Sequence, residues 1–148
     1  MRISAKGRYA LAAMIDIARN SPNGESITVV SISERLGISK IYLEQVFSLL
    51  KRGALVSSVK GSQGGYLLTR MPRQITVYAI LSAVELSLFE PTEESVAQKA
   101  PEIETALRLS AFQVLDEAVR TALEKITLDD LVSEAERQKK DQGLMFYI

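Results

Sequence analysis

The sequence predicts a mostly α-helical chain carrying one small β-hairpin. Three observations predict this. Two short helix-type segments, 29–36 and 40–52, flank a lone glycine, Gly37. Two strand-type runs follow at once, around the glycine-rich loop 61–65. Charge then divides the chain: residues 1–75 hold 11 Lys and Arg against 4 Asp and Glu, and residues 76–148 hold 7 against 14. The halves carry +7 and −7 within a net charge of zero, so they are expected to do different work. A basic half attracts phosphates and an acidic half does not.

The elements follow in order. Ser4 caps a first helix to about Arg19, with Ala10, Leu11, Met14, Ile17 and Ala18 on one face. Asn20 to Gly24 reads as a loop. Thr28 caps a second helix, 29–36, which Gly37 stops. Ser39 caps a third, from Lys40 to about Arg52, with the inward stripe Leu43, Val46, Phe47 and Leu50, and Gly53 ends it. Residues 55–60 and 66–69 read as hairpin strands. Thr76 opens a helix from Val77 to about Leu86, with Ile80, Leu81 and Val84 inward. Residues 87–101 form an irregular connection containing Pro91 and Pro101. Glu102–Ile126 reads as one long helix, acidic in its first turn as the macrodipole favours. Thr127 restarts a last helix to about Lys140, ahead of the tail 141–148. The chain divides into residues 1–86 and 87–148.

The pair of short helices carries the sharpest local pattern. Counted from Val29, apolar residues occupy positions four, eight, ten, fifteen and eighteen: Ile32, Leu36, Ile38, Leu43 and Val46. Small Ser33 takes position five and Gly37 position nine. A tight turn with this spacing presents the second helix of the pair to the major groove of DNA. The hairpin behind it completes a winged helix-turn-helix. Its loop, Lys60, Gly61, Ser62, Gln63, Gly64 and Gly65, combines polar donors with glycines that let the backbone approach a phosphate or groove.

Composition narrows the function classes. The chain has neither cysteine nor histidine. That removes disulfides, thiolate metal sites and histidine general-base chemistry. No phosphate-loop signature or catalytic constellation stands out, so no enzyme is expected. A metal sensor built from Asp and Glu alone finds little support in acidic residues scattered along helix faces. No apolar run reaches the ~20 residues of a membrane span, and the N-terminus has no signal-peptide pattern. A cytoplasmic protein is the expectation.

The segments MRISAKGRYALAAM, ISERLGIS, YLEQVFSLLKRGALVSSVKG and GGYLL resemble the Rrf-two family of bacterial transcription regulators, and ITLDDL at 126–131 resumes the likeness. The resemblance implies a homodimeric winged helix-turn-helix repressor that binds a palindromic operator in double-stranded DNA. It implies recognition-helix roles for Ser39, Tyr42, Glu44 and Gln45, with Lys40 beside them, and phosphate contacts from Ser4, Lys6, Arg8 and Tyr9. Side-chain chemistry agrees: Glu44 can accept from a cytosine amino group, and Gln45 can bond a base edge. Tyr9 and Tyr66 fit core packing equally well. The long helix would form the dimer contact through Ile103, Leu107, Val114, Ala118, Ala122 and Ile126, mostly three or four apart.

Some members of that family sense through an iron–sulfur cluster held by three cysteines between the fourth and fifth helices. The corresponding segment here, 87–101, has none, and clusters require thiolate or imidazole ligands. No iron–sulfur cluster or other cofactor is expected. The apolar tail Met145, Phe146, Tyr147 and Ile148 resembles that of the family's cysteine-metabolism repressors. The resemblance implies docking on the enzyme O-acetylserine thiol-lyase by capture of a terminal carboxylate and aliphatic side chain. Packing of the tail on its own dimer is the other reading. Control of iron–sulfur or nitrosative-stress genes through another ligand is the alternative function.

Overall fold

A computed structural model describes residues 1–61 and 64–146, with Phe146 described only in its backbone. Among these residues seven α-helices and a hairpin follow one another: α1 (Ala5–Asn20), α2 (Val29–Leu36), α3 (Lys40–Arg52), β1 (Val56–Ser58), β2 (Tyr66–Leu68), α4 (Val77–Val84), α5 (Pro101–Leu107), α6 (Gln113–Glu124) and α7 (Leu128–Phe146).

The helix starts obey local chemistry. Ser4, Thr28, Ser39 and Thr76 are extended and cap α1 to α4, their side-chain oxygens accepting from the N–H groups of Gly7, Ser31, Tyr42 and Ala79. Thr127 and Asp130 cap each other reciprocally at the start of α7, at 2.9 and 3.0 Å. Gly37 ends α2 at φ 68°, a left-handed turn that costs glycine nothing. The end of α3 departs from expectation. Gly53 sits at φ −76°, and Ala54 takes the left-handed conformation at φ 59°. Gly53 is required by contact instead, since a Cβ there would lie 2.8 Å from the Ala83 Cβ on α4.

Ala10, Met14, Ile17, Ile32, Leu43, Val46, Phe47, Leu50, Val56, Ile75, Ile80 and Val84 pack into one core. Tyr66 stacks on Phe47, rings 4.5 Å apart and 15° from parallel, which favours its packing role. Leu128 joins the same core. Two backbone bonds, Val77 N–H to Ile126 C=O and Leu128 N–H to Ile75 C=O, both 2.8 Å, stitch the start of α4 to the start of α7. Buried Asp16 on α1 takes a bidentate grip on Arg35 of α2, at 2.9 and 2.7 Å. That bond holds the Arg35 guanidinium above its ordinary pKa.

Three expected elements differ. The strands are shorter than 55–60 and 66–69, pairing antiparallel only from Val56 with Leu68 to Ser58 with Tyr66. The last helix runs past Lys140 to Phe146, aided by Arg137 and Gln138 bonding Glu134 a turn earlier. The long helix is not one straight α-helix from Glu102 to Ile126. A π-helical turn at Arg108–Phe112 separates α5 from α6, which ends at Glu124. Neither proline nor glycine marks that turn in the sequence. It inserts one extra residue, so later side chains shift ~100° round the axis. Leu115 therefore takes the place below Leu107 that an uninterrupted helix would give Val114.

Candidate nucleic-acid interface

The candidate recognition surface is built on α3. Its inward stripe, Leu43, Val46, Phe47 and Leu50, is fully buried, which forces Lys40, Ile41, Glu44, Gln45 and Ser48 outward. Ser39 keeps a hydroxyl proton for donation, because its oxygen serves the helix as acceptor. Lys40 and Glu44 approach only to 3.9 Å and are both more than half exposed, a loose pair worth little. Glu44 and Gln45 thus both stand exposed on the outer face of α3. Tyr42 is half-buried and meets Tyr9 of α1 edge-on, centroids 4.9 Å apart at 83°.

The start of α1 lies beside this face. Lys6 lines one shallow depression with Ile41, Glu44, Gln45 and Ser48, so a cation stands at the edge of the recognition helix. Arg8 is exposed and donates one N–H to the Ile3 carbonyl at 2.7 Å, which steers its guanidinium along the N-terminal arm. The Ser4 hydroxyl is engaged internally. It donates to the Glu85 carboxylate at 2.6 Å while capping α1, and its N–H reaches the same oxygen at 2.9 Å. These bonds tie the arm to the end of α4.

The hairpin packs against α3. Lys60 is exposed, and Lys51 of α3 donates to Ser58 of β1 at 2.8 Å, linking recognition helix to wing. Gly64 has φ 65°, which only glycine adopts freely. Gly65 has φ 145°, and a Cβ there would lie 3.1 Å from the Ile27 carbonyl oxygen, tighter than an ordinary contact. Gly61 is described at the loop's start, while Ser62 and Gln63 lie outside the described residues.

Sequence reasoning missed Ile41, Arg35 with Asp16, and Glu104. Ile41 was legible as an outward position on α3. The other two depend on distant partners. Buried Glu104 accepts from the backbone N–H groups of Ser95 at 3.1 Å and Val96 at 2.9 Å, pinning the connection to α5.

In the acidic half, Ile103, Leu107, Val114 and Ile126 are exposed large apolar side chains, and Ala118 and Ala122 lie along the same stretch. Leu109 and Leu115 are exposed in the same stretch. In the tail, Met145 is 77% exposed. The Phe146 side chain, Tyr147 and Ile148 lie outside the described residues.

A capped helix with a polar outer face beside a β hairpin has the architecture of a winged helix-turn-helix. The family model for Rrf2, described as "Iron-dependent Transcriptional regulator", matches residues 3–134. The transcriptional regulator IscR of Pectobacterium atrosepticum is 40% identical over 136 residues, 92% of this chain and 82% of that protein. IscR of Yersinia pestis is 39% identical over 147 residues, 95% of this chain and 88% of its own. Among solved structures, CymR, "the Global Cysteine Regulator of B. subtilis", has TM-score 0.71 at 34% identity, covering 90% of this chain and 98% of that one. IscR of T. potens has TM-score 0.71 at 35% identity, covering 99% and 97%. The chain belongs to the Rrf2 family.

Iron dependence in the family meets an unsuitable set of donors in this chain. The full sequence holds no cysteine or histidine, and among the described residues no three Asp or Glu gather to hold a metal ion. The donor set does not fit an iron–sulfur cluster. Among the described residues, no helix is long and apolar enough to cross a membrane.

Proposed function

We propose that the chain represses transcription as a homodimer on a two-fold symmetric operator. In this reading α3 enters the major groove, Glu44 and Gln45 read base edges, and Lys6, Arg8 and Lys60 engage phosphates. The observation that carries it is the exposed apolar face of α5 and α6 on a chain with one recognition helix. A face of that kind is expected to be covered, and a second copy covers it while supplying the second recognition helix. Half-sites then lie about one helical turn apart, roughly 34 Å or a small multiple. The test is binding of selected and random duplexes across a salt series. Steep salt dependence with a strong preference for a palindrome is expected, and equal affinity for both duplexes at physiological salt overturns the reading.

A second reading concerns the regulated genes. CymR, one of the similar structures, is described as a cysteine regulator, and this chain lacks the ligands for a cluster. Leu144 and Met145 are exposed rather than packed on their own protomer. These observations support control of cysteine metabolism through a partner, O-acetylserine thiol-lyase, which engages residues 145–148. Calorimetry of that enzyme with the full chain and with a chain lacking residues 144–148 tests this. Binding abolished by removal of the tail is the expected result. Comparable heats, or none from either, leave iron–sulfur or nitrosative-stress genes as the alternative.

A further inference from the structure

We propose that Ile41 reads the 5-methyl group of a thymine in each operator half-site. The inference rests on placement of α3 in the major groove. Ile41 is the second residue of α3, and the N-terminal residues of a recognition helix are those that reach base edges. It is 72% exposed, and it is the one exposed large apolar side chain of α3. Its outward neighbours Lys40, Glu44, Gln45 and Ser48 are all polar or charged. An isoleucine held in water there gains nothing from the fold, since the core stripe is complete without it.

The major groove offers one apolar partner, the thymine methyl. A β-branched side chain on a helix has one strongly preferred rotamer, so Ile41 meets that methyl with little ordering cost. Ser39 caps the helix directly ahead of it, which holds the first turn in place. Ile41, Gln45 and Lys6 share one surface depression. A phosphate held by Lys6 and an adenine edge read by Gln45 would bring an adjacent thymine under Ile41.

The test replaces each operator thymine in turn with deoxyuridine, which removes the methyl and nothing else. Wild-type protein should bind about fourfold more weakly at one position per half-site, the worth of one buried methyl-sized group. Ile41→Ser should bind the thymine and deoxyuridine operators equally at that position. Its circular dichroism should match wild type, because the residue is exposed. Two results overturn the proposal: indifference of the wild type to deoxyuridine everywhere, or the same sensitivity retained by Ile41→Ser. Gln45→Ala is measured in parallel. If it alters preference at a base pair while deoxyuridine has no effect, only the Ile41 role fails. If neither variant alters any preference, placement of α3 in the groove fails with it.

Discussion

Placing charge on the exposed face of α5 and α6 should turn dimers into monomers that no longer hold the operator. Fully burying a valine or leucine side chain is worth ~1.5–3 kcal/mol. In the single chain Leu115 retains 59% of its exposure and Leu107 38%. Roughly half of that gain is still available, about 1 kcal/mol per side chain. Two side chains in each of two protomers amount to roughly 4 kcal/mol, or about a thousandfold in the dimer dissociation constant. Leu107→Glu with Leu115→Glu, the pair that the π turn leaves on one face, should remove all of it and bring like charges together. Sedimentation equilibrium across the micromolar range reads the association directly. Operator binding should fall in step, because a monomer presents one recognition helix. The fold should survive, since both side chains face solvent in the isolated chain. A double variant that sediments as a dimer with unchanged affinity refutes the reasoning.

Other outcomes follow from the site and its supports. Glu44→Ala should relax base preference by ~1–3 kcal/mol while leaving phosphate-driven affinity intact. Lys6→Ala should instead weaken all sequences alike and flatten the salt slope by about one unit for each phosphate left without its cation. An unchanged ranking of operator variants with Glu44→Ala would contradict the base-reading role. Arg35→Met should destabilise the fold by roughly 2–3 kcal/mol in urea melts, because it strands the buried Asp16 carboxylate, and adding Asp16→Leu should recover more than half of the stability. Gly53→Ala should lower the melting temperature at a cost of roughly 1–3 kcal/mol, because its new methyl meets Ala83 at 2.8 Å and not because of backbone strain at φ −76°. A neutral Gly53→Ala in thermal denaturation would show that α3 and α4 can separate freely.

The N-terminal helices and hairpin were largely legible from sequence because their signals are local. A cap such as Ser39 acts on an N–H three residues away, and the stripe of Leu43, Val46, Phe47 and Leu50 follows from the helical period alone. The end of α2 and the four N-terminal caps therefore fall where spacing places them. The end of α3 shows where this reasoning weakens. Glycine is the residue expected in the left-handed conformation there, yet Ala54 takes that role, and Gly53 answers to a helix met thirty residues later.

Composition and interactions within one or two turns specify the helix-turn-helix, the hairpin, the division of charge and the lack of cluster ligands. Contacts between segments far apart in the chain set the rest. Ser4 bonds Glu85 across 81 positions, so its hydroxyl serves the fold before it can serve a phosphate. Asp16 is buried because Arg35 folds against it, and Glu104 is buried because the connection bends back over α5. The π turn at 108–112 rotates the apolar face of α6 with no proline or glycine to announce it. Each of these depends on two distant segments arriving at one place, and packing energy, not the period of residues along the chain, sets that meeting.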